Sequence, residues 1–146
     1  MSTFEIRRTA AAPPETVFDV FTDHRRYADL VTAIRSSTLE QEGDPAPNGV
    51  GAVRALRLPG VTVREQVTDF HRPGRYAYRM RSGVPLRHYT ATVTFTPAGE
   101  GRTEVVYTVD VEPKLRALEP LLDKIVRKSI ADFTDAAVAR AERPQG

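Results

Sequence analysis

Between residues 50 and 112, apolar and polar residues alternate with period two, and Pro or Gly interrupts the alternation at short intervals. Five strands are predicted there: 50–58, 61–70, 75–81, 86–95 and 102–112. Each ends in a turn sequence, the first in "PG", the second in "HRPG", the third in "SGVP". Strands joined so tightly must be antiparallel neighbours, with one buried face and one wet face. Two further strands precede this block, "TFEIRR" at 3–8 and "RSSTLEQE" at 35–42. Between them lie two predicted short helices. One opens at Pro13 or Pro14 and groups Val17, Phe18 and Phe21; the other, 24–34, carries Tyr27, Leu30 and Val31. Residues 43–49, "GDPAPNG", read as a loop. Beyond residue 113 the period changes to three and four. Leu118, Leu122, Val126, Ile130, Phe133, Ala137 and Ala141 predict a helix over 114–143, with Pro120 splitting off its first turn.

The fold class is therefore α+β: a curved seven-stranded antiparallel sheet wrapped around one long C-terminal helix, with two short helices after the first strand. A sheet gripping a helix rarely closes along its whole length, so a cavity is expected between them. The chain, 1–146, reads as a single domain without internal repeats.

The alternation singles out two charged residues. In strand 61–70, Val61, Val63 and Val67 mark the inner face, and Glu65 falls among them. In strand 50–58, Val50, Ala52, Leu56 and Leu58 mark it, and Arg54 falls among them. Only a hairpin that places Leu56 opposite Val63 keeps both apolar sets on one side, and that register puts Arg54 opposite Glu65. Pro59 disfavours the primed two-residue turns, which favours a four-residue loop. The pair has three readings: a satisfied polar group of the core or sheet edge, an anchor for polar atoms of a ligand, or an acid/base. Removing one member of a buried pair is far costlier than replacing both by apolar residues, so fold stability alone gives little reason to keep it.

Tyrosines form a second group. Tyr76, Tyr78 and Met80 share one face of their strand, Tyr89 and Val93 one face of the next, and Tyr107 faces inward from the last. An apolar surface with a few fixed hydroxyls has the composition of a small-molecule site, and equally of an aromatic core. Leu122, Val126, Ile130 and Phe133 would cover it from the helix.

Composition removes several alternatives. The chain has no cysteine, which excludes disulfides and thiolate metal sites. Its net charge of +2 is scattered and it has no Trp, arguing against nucleic acid. No stretch approaches the roughly 20 apolar residues that span a bilayer, and the N-terminus lacks the apolar segment of a signal peptide. A cytoplasmic location is expected, without stable membrane insertion. His24 sits at a helix junction, His71 in a turn, and His88 points to the wet face; their spacing predicts no metal site, and no inward histidine is expected. Ser82 has no nucleophile elbow around it, and "GVGAVR" precedes a strand, so it is not a phosphate loop. The basic run "KIVRKS" reads as a solvated helix face, with membrane docking as the alternative.

Five stretches together resemble a known family: "APPETVFDVFTDHRRYADL", "GVGAVRAL", "VREQVTDF", "RYAYRMRSGVPLRHYTATVTFTP" and "GRTEVVYTV". The chain resembles the START/Bet v 1-like (SRPBCC) superfamily over residues 3–142, in particular its bacterial polyketide cyclase/dehydrase and lipid transport branch. It departs from that pattern at Tyr107, where Trp is common, and near Asp29, where an aromatic-Pro pair is common. The resemblance implies a helix-grip fold and a hydrophobic ligand under the long helix, a lipid, isoprenoid or polyketide. It also implies an alternative, polyketide cyclisation or dehydration. In that case Glu65, Arg54 and Tyr89 are the catalytic candidates. A third reading is a protein-interaction module with a filled core. No cofactor is expected, and a homodimer is compatible with the chain.

Overall fold

The computed structural model describes residues 2–144. Its strands are β1 (Ser2–Ala10), β2 (Ser36–Gln41), β3 (Val53–Leu58), β4 (Val61–His71), β5 (Arg75–Ser82), β6 (Leu86–Pro97) and β7 (Thr103–Pro113). Its helices are α1 (Pro14–Thr22), α2 (Tyr27–Leu30) and α3 (Glu119–Glu142). The strands make one antiparallel sheet in the order β1-β7-β6-β5-β4-β3-β2. The helix-grip architecture expected from the alternation and the tail periodicity is the observed one: the sheet curves around α3, and α1 and α2 close one end.

The core follows the period-two pattern. Val105, Tyr107, Val109 and Val111 of β7 are buried, as are Tyr89, Ala91, Val93 and Phe95 of β6. Phe18 and Phe21 of α1 meet Phe95 edge-on, with ring centroids 5.4 and 5.3 Å away. From α3, Ile130, Thr134, Ala137 and Ala141 are buried, the small residues allowing close approach to the sheet.

Several boundaries differ from expectation, for physical reasons. The predicted helix 24–34 is a 3-10 turn, His24–Arg26, followed by the single helical turn α2; Val31 is already extended. The first meander strand begins at Val53 rather than 50, because residues 44–50 fold back on themselves through the Asp44–Val50 bridge. Val50 is therefore exposed, not on the inner face. Val53 and Ala55, expected on the wet face, are buried. Arg64 of β4 reaches Glu40 of β2 at 3.0 Å and so passes over the outer side of β3. In β4 an irregularity between Val67 and Asp69 shifts the alternation by one, which turns Phe70 inward against Phe18.

The β3–β4 register is the expected one, with Leu56 opposite Val63 and Arg54 opposite Glu65. The loop is not. Leu58 pairs with Val61, leaving the two-residue turn Pro59–Gly60 instead of four residues. Gly60 has φ +76°, so Pro59 and Gly60 suit a type II turn, which needs no primed geometry and accepts Pro at its first central position.

Candidate functional site

Arg54 and Glu65 meet on the concave side of the sheet. Arg54 Nε donates to Glu65 Oε1 at 3.0 Å, and Nη2 lies 2.9 Å from the same oxygen in an ion pair. Only 2% of Arg54 and 6% of Glu65 is exposed, so the pair lies in the interior and not at a wet sheet edge. Three tyrosine rings enclose the guanidinium: its carbon lies 4.7 Å from the Tyr78 ring centre, 5.3 Å from Tyr27 and 5.4 Å from Tyr76. These faces solvate the cation where water is excluded. Both guanidinium contacts converge on Oε1.

Tyr27 is the part of the site that sequence reasoning missed. The sequence places it on a helix face, yet its hydroxyl accepts from Arg54 Nη1 at 3.4 Å and donates to the Phe21 carbonyl. No strand alternation bears on a residue in a one-turn helix, so only its aromatic type in "HRRYADL" hinted at burial.

A second polar group sits deeper along the same face. The Tyr78 hydroxyl bonds to that of Tyr107 and lies 3.3 Å from that of Tyr89. The Tyr76 hydroxyl is buried beside that of Tyr27 without a well-formed hydrogen bond. Phe133 of α3 covers the cluster edge-on, 4.9 Å from Tyr27 and 6.5 Å from Tyr107 by ring centre.

Burial sets the protonation states. It pushes Tyr27, Tyr76, Tyr78, Tyr89 and Tyr107 above the usual phenol range, so all are neutral donors near neutral pH. Burial also raises Glu65 above the usual carboxylate range, while Arg54 pulls it back. Burial opposes the charge on Arg54, but the neighbouring oxygens of Tyr27, Tyr76 and Glu65 outweigh it, and the guanidinium stays charged.

The structure thus brings together Arg54, Glu65, Tyr76, Tyr78, Tyr89, Tyr107 and Phe133. Met80 pairs with Glu65 across β4–β5 and is half-buried. Val93 is sealed in the core opposite Tyr76 and Tyr107. Ile130 is buried, whereas Leu122 and Val126 lie half-exposed toward the start of α3. Surface concavities of about 350, 450 and 310 Å³ lie elsewhere: beside α1 and the end of α3, at the β3–β4 turn, and under the 45–48 loop. None of these three is lined by the arginine–tyrosine cluster.

An inward histidine is present, against expectation. His24 is 1% exposed, with Nδ1 3.4 Å from Ser37 Oγ and the Asn48 side chain beside the ring. The 3-10 turn tucks the ring against β2. Burial, helped by Arg54, lowers its pKa from 6.5 to about 4, so it is neutral and a weak base. His71 is exposed beside Asp69, and His88 is half-buried next to Thr90. Among the described residues no cluster of His, Cys, Asp or Glu could hold a metal.

Solved structures share this architecture at low identity. A START superfamily protein from Mycobacterium smegmatis superposes with a TM-score of 0.82 at 17% identity, covering 96% of this chain and 97% of that one. The Zhui aromatase/cyclase of a Streptomyces species gives 0.81 at 24% identity, covering 97% and 94%. Norcoclaurine synthase from Thalictrum flavum, in complex with dopamine and hydroxybenzaldehyde, gives 0.78 at 14% identity, covering 99% and 89%. At these identities the likeness is one of fold. No curated protein matches the chain significantly in sequence. The sequence pattern described as polyketide cyclase/dehydrase and lipid transport matches residues 1–142. With that match spanning nearly its whole length, the chain belongs to the polyketide cyclase/dehydrase and lipid transport family.

Proposed function

We propose that the protein binds a hydrophobic small molecule, of lipid, isoprenoid or polyketide type, between the sheet and α3. The observation that carries this reading is spare polar capacity in the interior. Glu65 engages Arg54 through Oε1, and the Tyr76 hydroxyl has only the Tyr27 hydroxyl beside it and makes no well-formed hydrogen bond, so both keep polar capacity on the concave face. A core built only for stability satisfies such groups or omits them. A ligand with a long apolar body and one carbonyl or hydroxyl would fill both needs. The half-exposed Leu122, Val126 and Met80 mark where α3 would lift to admit it.

Catalysis on a polyketide-type chain is the second reading, favoured by one observation. The hydroxyls of Tyr78, Tyr89 and Tyr107 lie on the same concave face as Glu65. Glu65 Oε2 would take a proton from a carbon between two carbonyls, and neutral phenols would donate to the enolate oxygen. That carbon would then attack a second carbonyl, forming the ring bond. The new alkoxide would regain the proton from the Glu65 carboxylic acid.

Native mass spectrometry of the freshly purified chain tests the first reading. The expected result is a copurified hydrophobe of defined mass. A filled interior that takes up no hydrophobe would sink both readings and leave the protein-interaction module. With a ligand in hand, Glu65→Gln separates binding from chemistry: binding kept with turnover lost means catalysis, and full activity in both Glu65→Gln and Glu65→Ala rules out the acid/base role.

A further inference from the structure

The opening of α3 carries a surface that the interior site does not explain. Large apolar side chains are exposed there: Leu115 by 63%, Leu121 by 57% and Ile125 by 51%. Leu121, Lys124, Ile125 and Lys128 recur at three and four and so share one face of the helix. The inner neighbours Leu122 and Val126 turn toward the sheet and are only half-exposed.

Charge on this surface is predominantly cationic. Residues 114–128 hold five cationic side chains, Lys114, Arg116, Lys124, Arg127 and Lys128, against two acidic ones, Glu119 and Asp123. Both carboxylates are drawn toward β1, where Ser2 Oγ lies 2.8 Å from Glu119 Oε1 and 2.6 Å from Asp123 Oδ2 and can donate to either. Lys114, Arg116 and Lys124 have no acidic partner among the described residues, and Lys128 has one exposed pair with Asp132 at 2.7 Å. Arg127 instead lies over the Phe4 ring, 4.7 Å from its centre. The outward face is therefore apolar at its centre and cationic at its flanks.

We propose that this face docks the protein peripherally on an anionic lipid surface. Leu115, Leu121 and Ile125 would enter the headgroup–acyl boundary, while Lys114, Arg116, Lys124 and Lys128 meet the lipid charges. A second copy of the chain is a poorer fit, since it would oppose cationic flanks to cationic flanks. A nucleic acid would use the cations but leave the leucines and isoleucine exposed. No described helix is long and apolar enough to cross a membrane, so the contact is interfacial. The proposal does not depend on a bound interior ligand.

Cosedimentation of the full chain with vesicles tests it. One set is phosphatidylcholine alone; the other contains about 30% phosphatidylglycerol. Binding is expected on the anionic set only, and it should weaken as salt rises toward about 0.5 M. Leu121→Ser/Ile125→Ser and Lys124→Glu/Lys128→Glu should each lower the partition coefficient by about tenfold or more, with unfolding midpoints kept near wild type because all four sites are exposed. Absence of wild-type binding, or equal binding to neutral vesicles, overturns the proposal. So does a charge-reversed variant that fails to bind while the serine variant binds normally, which would indicate a polyanion instead of a bilayer. A concentration-dependent dimer abolished by Leu121→Ser/Ile125→Ser would assign the face to a second copy and equally overturn it.

Discussion

Arg54 shows how one side chain can be indispensable without being the best choice for stability. Its charge is compensated by Glu65 and by three tyrosine rings, all placed around it by the fold. Glu65→Ala strands that charge in the interior, and a loss of about 3–5 kcal/mol is expected in denaturant unfolding. Arg54→Met/Glu65→Leu removes both charges and should recover most of the loss. A double variant as unstable as the sum of the singles would mean that the pair contributes nothing as a pair. His24 makes a separate residue-scale prediction through pH. Its folded pKa of about 4 lies below the unfolded 6.5. Between those values the unfolded chain binds more protons, so stability rises with pH through the window and is lost as pH falls from 6.5 toward 4. His24→Gln should flatten the stability–pH slope near pH 5 by up to about one proton, read from urea unfolding across the window. An unchanged slope would mean that the ring is protonated in the folded state.

At the scale of elements, turns and helix ends decide what moves and what does not. Gly83, in the β5–β6 turn, has φ +134°, and a Cβ there would lie 2.9 Å from Val63 Cα. Gly83→Ala should therefore cost roughly 1–3 kcal/mol, because both the backbone conformation and the close approach to β4 are lost. Its thermal unfolding midpoint relative to wild type checks this. α3 is anchored unevenly: Ile130, Thr134, Ala137 and Ala141 are buried, while its first half is mostly exposed. Backbone amides of 123–129 should exchange faster than those of 130–141 by on the order of tenfold or more. Equal protection along the helix would remove the mobile first half that ligand entry requires. The same elements explain which parts of the fold were legible in sequence. Period two over β4 to β7 was readable because each strand has one apolar face and a Pro or Gly stop. The β3–β4 register was readable because one shift would send an apolar set into water. Tyr27, the exposure of Val50 and the inward turn of Phe70 were not. They depend on a one-turn helix, a loop bridge and a strand irregularity, which leave no period in the sequence.

For the whole molecule, the question is whether the sheet and α3 close around side chains alone or around a ligand. The two cases differ in thermodynamics more than in contacts. A filled interior has nothing to gain from an added hydrophobe, so its unfolding temperature is independent of ligand. A ligand-binding interior is linked to folding, because the unfolded chain offers no cavity. At a free concentration of about 100 Kd, binding adds about 2.7 kcal/mol to the folded state. For a domain near this size each kcal/mol moves the midpoint by about 2–4 °C. Delipidation followed by return of the copurified hydrophobe should therefore raise Tm by roughly 5–10 °C. Tyr76→Phe distinguishes an anchored ligand from a merely greasy fit. The Tyr76 hydroxyl makes no well-formed hydrogen bond and has only the Tyr27 hydroxyl beside it, so its removal costs the folded state little. The ligand-free Tyr76→Phe protein should melt near the wild-type midpoint, since a poorly satisfied buried group has gone. Its ligand-induced rise should shrink, because the ligand has lost a hydrogen bond worth about 0.5–1.5 kcal/mol. A full rise in the variant would show that the ligand does not use that hydroxyl, and no rise in either protein would show that the interior is closed.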